Sequence, residues 1–256
     1  MISTMRNHLY LFIVLTNLMT GPARAADPEV YPDGNQILEK IDKNLTSETR
    51  VSQTRMIIHD RRNTRVVTSK SWAMGKRTAF TEYLDPPRER GTKMLILENR
   101  LWTYSPSTDR TIQIAGYLLR QSVMGSDLSY EDVMENPRLQ EVYEATVTGT
   151  ETIDGQRCWK IDLEAVVEGL AYQSRKLWVD QERGIPLREE RFARGGTLLK
   201  RVDLTDLRQI GARWFPTHAI YKDVLRAGSG TEFITDEILF DVRIPAHVFT
   251  KASLRR

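Results

Sequence analysis

Thiols and imidazoles are nearly missing from this chain. Its 256 residues include one cysteine, Cys158, which excludes an intrachain disulfide framework and a zinc site built from several thiolates. Beyond residue 25 the histidines are His59, His218 and His247, far apart in sequence. Neither His-Glu-x-x-His nor Gly-x-Ser-x-Gly occurs, and there is no phosphate-cradling glycine loop. Gly125-Ser126-Asp127 lacks the spacing of a nucleophile elbow and reads as a helix start. Cys158 sits on an alternating segment and reads as a packed or surface thiol. No metal, cofactor or enzymatic chemistry is therefore expected. Linkers, low-complexity runs and internal repeats are absent as well, which favours one domain over residues 26–256.

What is present is an ordinary globular balance, 40% hydrophobic and 28% charged residues, unlike a disordered tail or a multi-span membrane protein. Residues 1–25 stand apart. Arg6 is followed by a mostly apolar run from Leu9 to Leu18 and by Ala23-Arg24-Ala25, the order of a secretory signal peptide cleaved after Ala25. The apolar run is shorter than the ~20 residues needed to span a bilayer. No cysteine follows the cleavage point to take a lipid anchor, so the expected mature protein is soluble.

Net charge is +3 over the whole chain, and removing Arg6 and Arg24 leaves +1. Near-neutrality, with no helix-turn-helix or zinc-finger pattern, argues against nucleic acid as a partner. The charge is unevenly distributed. Residues 50–77 hold eight basic side chains (at 50, 55, 61, 62, 65, 70, 76 and 77) against Asp60 alone, and residues 127–154 hold eight acids against Arg138 alone. These are either docking patches or solvated strand faces neutralised by neighbours in the fold.

One helix is predicted over residues 34–45, where Asp33-Gly-Asn-Gln36 resembles a capping box and Ile37, Ile41 and Leu45 recur at i, i+4, i+8. Strand chemistry dominates the rest: 51–60, 66–74, 77–83, 94–97, 101–104 and 111–114, then a strand alternating Trp159, Ile161 and Leu163 after the Asp154-Gly155 hairpin signal, then 172–180, 187–192, 198–207, 214–224 and 233–240. Short links imply antiparallel neighbours pairing in order. A sheet of that size must curl, split or close.

Residues 116–134 interrupt the meander. Tyr117, Leu118, Leu119, Val123, Met124, Leu128, Tyr130, Val133 and Met134 crowd there between Gly116 and Gly125, and Ser129 is placed to cap a short helix. Such a segment is either a flap over an apolar opening, pivoting at the glycines, or a loop helix plugging an ordinary core.

The motifs of this chain carry a family resemblance. Asp85-Pro86-Pro87-Arg-Glu-Arg90-Gly91-Thr92, Leu101-Trp102-Thr-Tyr104-Ser-Pro106, and above all Met124-Gly125-Ser126-Asp127-Leu-Ser129-Tyr130-Glu131-Asp132 resemble the signature of the outer membrane lipoprotein-sorting (LolA-like) family. Leu177-Trp178-Val179-Asp180 and Gly184-Ile-Pro186 follow in the same order, so the similarity runs from about Pro32 to the C-terminus. The resemblance implies a mainly β (α+β) fold, an incomplete antiparallel β-barrel covered by short helices, around a hydrophobic cavity.

It also implies a role, that of a periplasmic carrier shielding lipoprotein acyl chains, or another lipid, between an inner-membrane transporter and an outer-membrane acceptor. A lipoprotein-sensing regulator and a lipid-binding accessory of an envelope exporter are the alternatives. Strand alternation and the interrupting segment together nominate the cavity wall: Met56, Ile58, Trp102, Tyr104, Leu118, Val123, Met124, Leu128, Trp159, Ile161 and Leu163. Each has an ordinary packing role as its alternative. Structural roles in the motifs are expected for Pro86, Arg90, Gly91, Gly125, Ser126, Asp127, Ser129, Tyr130 and Asp132, with Arg90 either orienting its loop or simply exposed.

Overall fold

Asp33 ends the extended chain and its carboxylate accepts the Asn35 N–H at 2.9 Å, which starts helix α1 (Gly34–Leu45) at the predicted residue. Gln36 was the expected partner in that cap; the second helical residue takes the bond instead, and the Asn35 side chain accepts the Ala145 N–H at 3.0 Å. The structure, a computed structural model, describes residues 30–59, 63–135 and 138–256. The leader read in residues 1–25, with Asp60, Arg61 and Arg62, lies outside them. The compact unit described below is Tyr31–Arg256.

Six strands form the first meander: β1 (Thr49–His59), β2 (Thr64–Met74), β3 (Thr78–Asp85), β4 (Lys93–Leu97), β5 (Arg100–Ser105) and β6 (Arg110–Ile114). Seven form the second: β7 (Tyr143–Ile153), β8 (Gln156–Ala165), β9 (Ser174–Asp180), β10 (Pro186–Phe192), β11 (Leu198–Ile210), β12 (Arg213–Asp223) and β13 (Thr231–Phe240). Within each meander every strand pairs antiparallel with its neighbour in sequence. The halves are joined by β1 against β13, in register from Arg50 opposite Phe240 to Ile58 opposite Thr231 with a bulge at Gln53/Thr54. One open sheet of 13 strands results among the described residues, with β6 and β7 at its edges and no closure between them. The incomplete barrel expected from the motifs is thus an open, curled sheet.

Helix α1 lies on the inner face of the second meander and contacts β7 and β12, five places apart in the strand order, so the sheet curls around it. Leu38 and Ile41 are fully buried against Val147, Ile161, Leu163, Leu177 and Val179. At the helix start, a Cβ on Gly34 would stand 2.4 Å from the Ala145 carbonyl oxygen. Only glycine lets the two backbones approach this closely. At its end, Asn44 donates to the Arg183 carbonyl and accepts from the Trp214 N–H.

The outer face of the first meander has its own cover, which the sequence reading did not find. Two 3₁₀ helices, Ala246–Phe249 and Lys251–Arg255, lay Phe249 and Leu254 on Phe80, Leu95 and Trp102.

Candidate functional site

Alternation along β1 sets up the site. Arg50, Ser52, Thr54, Met56 and Ile58 share one face of the strand, and that face is the inner one: Met56 and Ile58 pack with Val67, Tyr83, Met94 and Val123, while Arg50, Ser52 and Thr54 open on a cavity of about 370 Å³. Its remaining wall comes from β11, β12 and β13 (Leu204, Phe215, Pro216, Ala219, Tyr221, Phe233, Thr235, Ile238), from Leu45 at the end of α1, and from Leu128. Register explains the gathering. Leu204, Ala219, Phe233, Met56 and Val67 form one row across β11, β12, β13, β1 and β2. The wall is mostly apolar, with hydroxyls and one guanidinium set into it.

Residues 116–134 cross the inner face from one meander to the other, and the two sides hold them differently. On the first meander the anchors are apolar. Val123 and Met124 sit on the Met56, Ile58, Val67, Tyr83 and Met94 cluster, and Leu118, Tyr130, Val133 and Met134 pack on Ile96, Leu101 and Ile114. Arg65 donates to the Met124 carbonyl.

On the second meander the anchors are ionic. Helix α2 (Tyr130–Val133) is closed by a capping box in which Ser129 Oγ accepts the Asp132 N–H and the Asp132 carboxylate accepts the Ser129 N–H at 2.7 Å. The same carboxylate accepts the Tyr172 hydroxyl at 2.5 Å and Arg191 of β10 at 3.3 Å. Glu135 accepts from Arg175 of β9 at 2.7 Å and from Arg191 at 3.0 Å. Asp127 accepts the Thr231 hydroxyl at 2.9 Å and the Asp223 N–H at 3.0 Å. Three of the acids that made residues 127–154 look like an acidic patch are therefore turned inward.

Burial makes this network matter. Glu189 is enclosed, which disfavours its charge, yet Arg191 and Arg175 outweigh that and hold its carboxyl at about 2. Asp132 is likewise desolvated, and Arg191, Ser129 and Tyr172 still bring it below the usual carboxylate range. Arg175 and Arg191 are raised by the acids they face against the opposing effect of burial. Arg191 also lies over the Tyr172 ring at 5.4 Å and the Tyr221 ring at 5.9 Å, adding cation–π attraction.

The nominated wall residues are not gathered in one place. Of the eleven, Leu128 lines the cavity, whereas Met56, Ile58, Val123 and Met124 pack together as a core cluster with Val67, Tyr83 and Met94 under the crossing segment. Leu118 lies further along that segment, on Ile114 and Leu101. Trp159, Ile161 and Leu163 are on the inner face but beneath α1, as core. Trp102 and Tyr104 are on the outer face with Phe249, because Leu101, one residue away, points inward. Arg50, Tyr221 and Phe233 were missed. Continuing the alternation of Met56 and Ile58 back to Arg50 was the available signal; the aromatic pair Tyr221–Phe233, at 5.0 Å, needs the β12–β13 register.

The motif residues act locally. Pro86 opens the turn between β3 and β4, where Arg90 donates to the Leu84 carbonyl at 3.0 Å and Gly91 closes the turn with φ +79°. Gly125 has φ +76°, and Ser126 is fully buried with its Oγ accepting the Leu128 N–H. His59 and His218, distant in sequence, both hydrogen-bond Glu232 on the outer face. No group of three or more metal-ligating side chains occurs among the described residues. Cys158 is buried, and desolvation pushes its thiol up to about 11.

Solved structures repeat this arrangement. A domain from Vibrio parahaemolyticus named for outer membrane lipoprotein sorting superposes with a TM-score of 0.75 at 21% identity, covering 87% of this chain and 98% of its own. A DUF1329 family protein from Desulfovibrio piger gives 0.79 at 22% identity, over 86% and 97%. A LolA superfamily protein from Nitrosomonas europaea gives 0.70 at 22%, over 87% and 100%. A family model with the description "-like: Uncharacterized protein" matches residues 75–256. The chain belongs to that family. Its fold is LolA-like, as the Met-Gly-Ser-Asp motif implied. The LolA-like sheet places that motif in the segment crossing its inner face. No curated protein matches the sequence. No helix among the described residues is long and apolar enough to cross a membrane.

Proposed function

We propose that this LolA-like protein is a periplasmic carrier that holds an acyl chain of a lipoprotein, or of another lipid, in the cavity between its curled sheet and residues 116–134, for transfer to the outer membrane. The observation that carries the reading is the cavity itself: about 370 Å³, mostly apolar, bounded by β1, β11, β12 and β13 and edged by Leu128. This is the lower end of the range for small-molecule sites and suits one chain. Burying about 14 methylenes at roughly 0.8 kcal/mol each favours the complex by about 11 kcal/mol before ordering costs. Retention then needs no covalent chemistry. Release needs the crossing segment to part from one of its two sets of anchors, and the donor and acceptor would be an inner-membrane transporter and an outer-membrane partner.

Native mass spectrometry of protein isolated from the periplasm tests this reading, with a co-purifying lipid or lipoprotein as the expected result. An acyl-chain fluorophore should gain intensity on mixing, and Leu128→Asp should weaken that gain more than it lowers thermal stability. A protein that carries nothing and leaves the fluorophore unchanged is not a carrier.

A further inference from the structure

Cations on the inner face of the sheet have partners, with one exception. Arg65 bonds to the Met124 carbonyl, Arg175 to Glu135 and Glu189, Arg191 to Asp132 and Glu135, and Lys200 to Asp223. Arg50 shares their face and lines the cavity, yet among the described residues its guanidinium has neither a hydrogen-bond acceptor nor an acid within ion-pair distance. Arg50 is half-buried in the curl of the sheet; desolvation there lowers its pKa, and the one group within electrostatic reach that favours its charge is the Tyr221 phenol. An uncompensated charge in such surroundings is costly. This half-buried side chain projects from the wall of the cavity among Leu45, Phe215 and Ile238, so what enters the cavity meets the Arg50 guanidinium.

The hydroxyls beside it are in the same condition. Ser52, Thr54, Thr235 and Tyr221 line the cavity, and none of these side chains hydrogen-bonds to another group among the described residues. Donors that face an apolar cavity and are not taken up by the protein are available to an amphiphile's head group. A guanidinium matches a carboxylate or phosphate through two parallel N–H···O bonds, while an uncharged ester or alcohol would leave its charge unpaired.

We infer that the occupant of this cavity is an amphiphile with an acidic head group, a carboxylate or a phosphate, paired with Arg50. The inference rests on the carrier reading and narrows it: one chain in the cavity, one negative charge at Arg50, and neighbouring hydroxyls completing the head-group contacts.

The test uses the full mature protein, the uncharged fluorophore N-phenyl-1-naphthylamine, and three competitors of equal chain length: palmitate, hexadecyl phosphate and hexadecanol. At least one acid should displace the fluorophore at roughly ten- to a hundredfold lower concentration than the alcohol, the range set by charge-assisted hydrogen bonds. Palmitate alone winning assigns a carboxylate ligand; hexadecyl phosphate alone winning assigns a phosphate. Arg50→Gln should remove the preference while alcohol binding persists, and Arg50→Lys should keep part of it. Equal displacement by all three on the unaltered protein overturns the inference and leaves the carrier reading standing, whether or not the Arg50 variants fold. A preference that survives in a folded Arg50→Gln protein overturns it too. If the fluorophore does not bind at all, the carrier reading fails first and takes this inference with it.

Discussion

Asp132→Asn should loosen the segment over the cavity without unfolding the sheet. The asparagine keeps the shape and one acceptor oxygen, so the capping box at Ser129 survives in part, but the charge facing Arg191 and Tyr172 is gone. Hydrogen bonds to a charged group are worth about 1.5–3 kcal/mol, and breaking a buried ion pair costs about 3–5 kcal/mol when the partner is stranded. Arg191 is not stranded, since Glu135 and Glu189 still accept from it. The expected loss is therefore about 2–3 kcal/mol, and it falls on the contact between this segment and β10.

Hydrogen exchange reads this loss site by site. Amides within the segment, such as Val123 bonded to Leu128 and Tyr130 bonded to Gln121, should lose about 30- to 150-fold in protection, at 1.36 kcal/mol per tenfold. Those of β4 and β5, held by their ladder, should change little. Protection lost equally in both regions, or unchanged in the segment, would refute an ionic anchor that acts locally. Acid should mimic the substitution. The Asp132 carboxyl is lowered in the closed form, so its contribution is complete above the ordinary carboxylate value near 3.9. That contribution is lost as pH falls through the lowered native value. Segment protection in the unaltered protein should therefore drop on acidification below about pH 4, and the Asp132→Asn protein should show a smaller drop.

Two further outcomes follow from the fold. Gly34→Ala places a methyl 2.4 Å from the Ala145 carbonyl oxygen; overpacking of this kind costs about 1–3 kcal/mol, so the melting temperature should fall by about 2–4 °C per kcal/mol, and an unchanged value would show that α1 shifts freely on β7. Cys158, with its thiol pushed up to about 11, should react with Ellman's reagent at pH 8 about two orders of magnitude more slowly when folded than in denaturant; equal rates would mean that the strand pair β7–β8 opens readily.

Local structure was written in local sequence. The i, i+4, i+8 spacing of Ile37, Ile41 and Leu45 predicted α1 to the residue, and most strands appeared within a few residues of their alternation because the period of two is a property of neighbours. Ser129 capped its short helix as its position required. The meanders and the LolA-like motif needed little more than short links and contiguous residues. Tertiary structure decided everything that depends on residues far apart. The pairing of β1 with β13 joins segments some 180 residues apart, and no local period announces it. That pairing turns Arg50, Ser52 and Thr54 toward Phe233 and Tyr221 and so creates the cavity. Trp102 and Tyr104 illustrate the same limit from the other side. Alternation showed that they share a face, but which face became inner was settled by the C-terminal turns that bring Phe249 and Leu254 onto the outer one. The acids of residues 127–135 looked like surface charge because sequence counts charges without their partners. Folding set Asp132 and Glu135 among them against Arg175, Arg191 and Lys200 in a buried space, where pairing rather than net charge determines what a carboxylate does.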